Sequence, residues 1–206
     1  MVSAEAMGRL QAIYYLTLQT NLRHLAVLKQ VFSAFNSEGI RAAVIQGFSL
    51  LVDLYEDPGV RPVSDIDLWV LPEGIDRASA ALHGLGFRST ALYPLLFRKG
   101  ELLIDLRRQL MGVERIAARR FLMKIDQQSI FENCRPLVYE GCELRCLNPQ
   151  DQAIYLTIHA VKHNLERLVW LADLRRLVAD WTVPDWDAFR LRAVDLGQPR
   201  VPAVTG

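Results

Sequence analysis

Cysteine is scarce in this sequence: three of 206 residues, Cys134, Cys142 and Cys146, all within one 13-residue stretch. An odd number of thiols without an export signal argues against a disulfide framework and for reduced thiols in the cytoplasm. Their spacings, seven and three residues with no histidine nearer than His159, do not match the tight pairs of structural zinc sites. Packing around a strand pair is the expected role. Charge of one sign is also missing. Lysine and arginine number 24 against 23 aspartates and glutamates, a net charge of +1, so no global field favours nucleic acid or an anionic membrane. No apolar run approaches the ~20 residues of a membrane span. The N-terminus carries Glu5 and lacks a basic segment followed by an apolar core, so no signal peptide is expected. Internal repeats and low-complexity tracts are absent as well.

What is present is an ordinary globular composition, 51% hydrophobic and 23% charged. The length suits one sizeable domain, or a domain with a helical appendage. Leu25, Leu28, Phe32 and Phe35 recur at helical spacing, which predicts a helix over 4–38 stopped by Gly39. "RAAVIQG" at 41–47 reads as a short buried strand, followed by a helix over about 48–56 and a "DPG" turn at 57–59. "DIDLWVL" is the next strand, and Pro72 opens a helix that Gly84 and Gly86 end. Residues 92–108 read as a hairpin turning near Lys99–Gly100, and 135–147 as a second one turning at Glu140–Gly141. Between them a basic helix is expected over 112–125. Asn148 and Pro149 form an N-cap and first-turn pair for a run of helices. The tail from 198 shows no periodicity, and a chain short of a complete domain is expected from it. The divisions are therefore N-terminal helices at 1–38, a mixed α/β core at 39–147 and a helical portion at 148–206.

Three aspartates interrupt the apolar strands. Asp65 and Asp67 point to one face of their strand, because side chains two apart share a face. Asp105 lies in "LLIDLRR" on another strand, with Leu103 and Arg107 on its face. Carboxylates gathered on neighbouring strands resist ionising together. Mg²⁺ resolves the conflict, since it is a hard cation that accepts carboxylate oxygens and shares its shell with phosphates. Gly47 ends a strand and opens a helix, where backbone N–H groups and the helix dipole favour an anion. Ser49 offers a hydroxyl donor and Arg61 a bidentate guanidinium. Taken singly, each has a plainer role: Asp65 as a turn residue, Gly47 as a turn glycine, Arg61 as a solvated loop residue, Asp105 as a partner of Arg107 or Arg108.

The order of these features carries more than any one of them. "VIQGFSLLVDLYEDPGVRPVSDIDLWV" at 44–70 resembles the nucleotidyltransferase superfamily that includes DNA polymerase beta. More narrowly, it resembles a bacterial family of uncharacterised nucleotidyltransferases. The likeness continues through "ALHGLGF" at 81–87, "LLIDLRRQL" at 102–110 and the histidine-bearing helix region at 147–178. The resemblance implies an α/β fold of the α+β kind, with a small mixed sheet, flanking helices and a C-terminal helical portion. It implies that Asp65, Asp67 and Asp105 bind catalytic Mg²⁺ (or Mn²⁺), and that Asp105 helps to deprotonate the attacking hydroxyl. Gly47 and Ser49 would contact the triphosphate of an NTP. The sequence departs from the family pattern at three places. Phe48 follows Gly47 where glycine or serine is usual, Gln46 stands in place of a lysine, and Arg107 in place of a histidine.

His159 and His163 are four apart and share a helix face. The "HExxH" zinc motif is absent, as Ala160 follows His159. A structural role, a contact to substrate or nucleotide, and metal binding all stay open for this pair. The leading expectation is an enzyme that transfers NMP from NTP to a hydroxyl of a small molecule, protein or RNA. The alternatives are a catalytically inactive nucleotide- or partner-binding member of the same fold, and a kinase-like phosphotransferase using the same carboxylates.

Overall fold

A computed structural model describes residues 3–110 and 125–196. The basic helix expected over 112–125 lies, apart from Ile125, outside the described residues, as does the tail from 197. The chain forms two compact units. The first comprises Met1–Arg108 with Pro136–Cys146, and the second Gln109–Arg135 with Leu147–Gly206.

The first unit is built on helix α1 (Ala4–Ser37), capped at its start by Ser3, whose side chain accepts from the Ala6 N–H. Its buried residues, Thr17, Asn21, His24, Leu25, Leu28, Val31, Phe32 and Phe35, form a stripe at helical spacing. Leu28 and Phe35 are fully buried, and each such side chain contributes about 1.5–3 kcal/mol by leaving water. Gly39 follows the helix at a φ of +64°, a left-handed C-cap conformation that glycine adopts without strain.

The stripe belongs to the core of a four-stranded sheet ordered β1-β2-β4-β3. Its strands are β1 (Ala42–Ile45), β2 (Ile66–Val70), β3 (Leu96–Lys99) and β4 (Leu102–Arg107). β1 runs antiparallel to β2, β2 parallel to β4, and β4 antiparallel to β3. The sheet is thus mixed, as expected. β1 and β2 are buried along their whole length. Helix α2 (Gly47–Leu54) follows β1. After β2, a single 3₁₀ turn at Pro72–Gly74 precedes helix α3 (Ile75–Gly84), so the α-helix starts three residues after Pro72. The first hairpin turns on Gly100 and Glu101, between the paired residues Lys99 and Leu102. Strands β5 (Arg135–Tyr139) and β6 (Cys142–Cys146) pair as a separate two-stranded sheet. Glu140 and Gly141 both have positive φ, +44° and +76°, as a two-residue type I′ hairpin turn requires. Cys134 and Cys146 are buried, Cys142 is partly buried, and Cys146 belongs to the core.

The second unit contains α4 (Gln127–Glu132), α5 (Pro149–Lys162), α6 (Leu168–Leu177) and α7 (Val183–Asp195). The short helix α4 is not evident from periodicity; Asp126 caps it by accepting from the Ser129 N–H. Asn148 caps α5, accepting from the Asp151 N–H at 2.8 Å, with Pro149 in the first turn. Asn164 and Leu165 adopt left-handed φ values of +53° and +56°, an uncommon conformation outside glycine that breaks the chain between α5 and α6. The fully buried Asp151 is held by Arg192 of α7 at 2.6 Å and by Asn148 at 2.8 Å. Among the described residues, no helix is long and apolar enough to cross a membrane.

Candidate functional site

The register of the sheet brings two of the three aspartates together. Asp67 of β2 pairs directly with Asp105 of β4, in one row that runs from Ile45 through both to Leu96. Parallel strands in register place such side chains on the same face, about one strand spacing apart, ~4.8 Å. Asp67 is buried at 4% exposure, whereas Asp65 lies just before β2, partly exposed. The Asp65 Oδ1 accepts from the Ser64 hydroxyl at 2.7 Å.

Like charges this close need a counter-charge, and Arg107 supplies it. Two residues after Asp105 on β4, it projects from the same face. Its Nε donates to Asp67 Oδ1 at 2.9 Å, and its Nη2 lies 2.7 Å from the same oxygen and 2.8 Å from Asp105 Oδ2. The guanidinium therefore bridges both carboxylates with charge-assisted bonds. Burial nevertheless dominates at Asp67 and pushes its carboxyl up to about 7, with the neighbouring Asp65 and Asp105 adding to the rise and Arg107 opposing it.

Gly47 opens α2 two residues beyond Ile45. The first N–H groups of a helix lack intrahelical acceptors, so this end can receive an anion. The space around Gly47 is tight: a Cβ there would lie 2.6 Å from Val63 Cγ1 and 3.3 Å from Arg61 Nη1. Arg61 is itself buried, at 4% exposure, with its guanidinium against this glycine. Ser49 is buried too, and its hydroxyl donates to the Gln46 carbonyl at 2.9 Å, closing the first turn of α2. Gln46 holds a φ of +56° and a ψ of −132°, a region that costs a non-glycine residue about 1–3 kcal/mol. Phe48, an unusual neighbour for the glycine, is a fully buried core residue stacked on His24 at 5.4 Å between ring centroids.

Residues of α1 that the apolar pattern does not single out hold this region in place. Asn21 donates through Nδ2 to the carbonyls of Pro58 and Arg61, both at 2.7 Å. Tyr14 donates to Asp57 at 3.0 Å, and Asp57 accepts from the Gly59 N–H at 2.7 Å. The signal in the sequence was a polar Asn21 and His24, with Thr17, in a stripe that is apolar from Leu25 onward.

His159 and His163 belong to the second unit. Their rings lie 4.7 Å apart, and both meet Trp170 of α6, at 4.9 and 5.6 Å. Arg167 stands 5.9 Å from the centre of the Trp170 ring. The pair is thus part of an aromatic cluster on α5 and α6.

Could the carboxylates hold a divalent cation? Asp65, Asp67 and Asp105 offer the oxygen donors that Mg²⁺ or Mn²⁺ takes, and the bridging guanidinium is a stand-in positive charge on two of them. The donor set fits. Among the described residues, though, no three His, Cys, Asp or Glu side chains gather closely enough to hold an ion. Asp67 and Asp105 are instead arranged around Arg107.

The uncharacterised nucleotidyltransferase family matches residues 1–201. The chain belongs to that family. Solved structures agree with the fold. The solution structure of the antibiotic-resistance factor ANT(2″)-Ia superposes with a TM-score of 0.60 at 16% identity, covering 84% of this chain and 91% of that one. A crystal structure of ANT(2″)-Ia in complex with adenylyl-2″-tobramycin gives 0.56 at 16% identity, over 81% and 97% of the two chains. An antigenic nucleotidyltransferase-like protein from Paracoccidioides brasiliensis gives 0.54 at 14% identity, over 75% and 74%. No curated protein matches this family member by sequence.

Proposed function

We propose that this family member transfers NMP from an NTP to a hydroxyl group of an acceptor, releasing pyrophosphate. The observation that carries the reading is the in-register pair Asp67 and Asp105, in the same sheet row as the strand that ends into the Gly47 helix start. Asp65, Asp67 and Asp105 would hold Mg²⁺ or Mn²⁺. When bound, such ions neutralise the triphosphate and clamp the attacking and leaving oxygens.

The chain's own groups take the remaining roles. Backbone N–H groups from Gly47 onward bind triphosphate oxygens, and Arg61, seated against Gly47, adds positive charge there. Ser49 keeps the turn in shape through its bond to Gln46 and stands ready as a further contact. Asp105, at 33% side-chain exposure, accepts the proton of the attacking hydroxyl, while the buried Asp67 stays fixed by its strand. His159 and His163, with Trp170, form an aromatic and imidazole cluster of the second unit, and a nucleotide contact by this pair remains part of the proposal. The acceptor is a small molecule on this reading. Its support is the structural neighbour that carries an adenylylated aminoglycoside and aligns over 97% of its own length. A cytoplasmic location is part of this reading, as reduced thiols suit a reducing compartment.

The test is incubation with each α-labelled NTP, Mg²⁺ or Mn²⁺, and pools of hydroxyl-bearing small molecules. Label should move to an acceptor with release of pyrophosphate, and Asp67→Asn should abolish the transfer. Release of NDP in place of pyrophosphate would assign a kinase-type reaction instead. A second reading, an inactive nucleotide-binding member, is favoured by Arg107 on the carboxylates and by Gln46 in place of lysine. NTP binding with no turnover on any acceptor would select it.

A further inference from the structure

The guanidinium of Arg107 sits on the two carboxylates that the proposed function gives to a divalent cation. Asp67 Oδ1 receives both Nε and Nη2 of Arg107, and Asp105 Oδ2 receives Nη2. Arg107 thus takes one oxygen of each carboxylate, and a cation drawing on those same two oxygens would stand against the guanidinium, like charge to like charge. We propose that Arg107 is a built-in counter-ion that competes with the divalent metal, setting the metal affinity of the site and yielding the carboxylates when the ion enters. This rests on the reading of Asp67 and Asp105 as metal ligands.

Three observations support it. Arg107 bridges residues on two different strands, so it is no ordinary neighbour pair along one strand. Its charge offsets part of the cost of burying Asp67 beside Asp105, since an unpaired buried carboxylate is costly. And its side chain is 31% exposed while that of Asp67 is 5% exposed, so the guanidinium borders solvent and the aspartate is enclosed. Arg107 is thus a positioning residue: it acts on the reaction through Asp67 and Asp105. A triphosphate arriving with its metal gives the displaced guanidinium an anion to turn to, so metal and nucleotide binding should reinforce each other.

The experiment is titration of the full chain with Mn²⁺, followed by calorimetry and by electron paramagnetic resonance, for the wild type, Arg107→Met, Arg107→Ala and Asp67→Asn. Arg107→Met keeps most of the aliphatic stem and removes the charge. Both arginine variants should bind Mn²⁺ about tenfold more tightly than the wild type, a factor worth about 1.4 kcal/mol. They should also show a larger rise in melting temperature at saturating Mn²⁺. Asp67→Asn should lose the site. Equal or weaker Mn²⁺ binding by folded Arg107→Met overturns the competition while leaving the metal reading intact. Absence of Mn²⁺ binding in every variant, with and without NTP, overturns both. If neither neutral variant folds without metal, Arg107→Lys, which keeps one charge but loses the fork, should bind Mn²⁺ more tightly than wild type; unchanged affinity overturns the proposal.

Discussion

Replacing Gly47 with alanine adds one methyl group at a crowded point of the candidate site. The new Cβ would stand 2.6 Å from Val63 Cγ1, 3.6 Å from Val63 Cγ2 and 3.3 Å from Arg61 Nη1. Gly47 is not among the residues with positive φ, so the cost arises from space rather than backbone conformation. Val63 is nearly buried, at 9% exposure, and belongs to the core. As a β-branched residue it has few alternative rotamers. Overpacking of this kind costs about 1–3 kcal/mol. Alanine regains part of it, at most about 1 kcal/mol, because it favours the helix that starts here. The net loss is about 1–2 kcal/mol, a drop in melting temperature of roughly 2–8 °C for a chain of this size. Thermal and urea denaturation would measure it, with Val63→Ala and the double variant completing a cycle. The double variant should recover most of the loss, a coupling of about 0.5–3 kcal/mol. NTP affinity, measured by calorimetry with Mg²⁺, should stay reduced in the double variant because the methyl group still faces Arg61. An unchanged or raised melting temperature for Gly47→Ala, or strictly additive effects in the cycle, would refute the reasoning.

Further outcomes follow from two other groups. Arg192→Ala leaves the fully buried Asp151 without its guanidinium partner at 2.6 Å. Chemical denaturation should show a loss of about 3–5 kcal/mol, and a loss under 1 kcal/mol would contradict that pairing. Burial holds the Asp67 carboxyl at about 7 in the folded chain, against an ordinary 3.8. The folded state therefore keeps a proton that the unfolded state releases, so metal-free stability should fall as pH rises from about 4 to about 7 and level off above. Urea denaturation between pH 4.5 and 8 checks this, and Asp67→Asn should flatten that slope. Because the ligand must ionise, Mn²⁺ affinity should rise over the same window.

Much of the fold was legible in local pattern. The stripe of α1, the apolar runs of β1 and β2, and the turn residues Glu140–Gly141 each follow from periodicity or backbone preference. Asn148 and Pro149 announced α5 by capping chemistry. What local pattern does not carry is register. Nothing in "DIDLWVL" or "LLIDLRR" states that Asp67 lies opposite Asp105 rather than one residue away, and a slip of one would turn one of them to the other face. The bridging role of Arg107 was invisible for the same reason, since its partner Asp67 is 40 residues away. Pairing of Asp105 with Arg107 could be foreseen from their shared strand face, but the second carboxylate could not. Ser49 is a further case: its hydroxyl donates to the Gln46 carbonyl, a turn contact that a hydroxyl near a glycine does not announce. Phe48 departs from the family pattern because the core claims it. Helix α4 escaped notice because six residues are too few for a period to show.

The central claim is that Asp65, Asp67 and Asp105 take a divalent metal beside a triphosphate held at Gly47. A crystal structure of the chain with Mn²⁺ and a non-hydrolysable NTP tests it most directly, through the anomalous signal of the metal. The account predicts a manganese peak among the three carboxylates, Arg107 withdrawn from Asp67, and phosphate oxygens at the start of α2. An ordered nucleotide with no manganese at these aspartates, and Arg107 still bridging them, would contradict it.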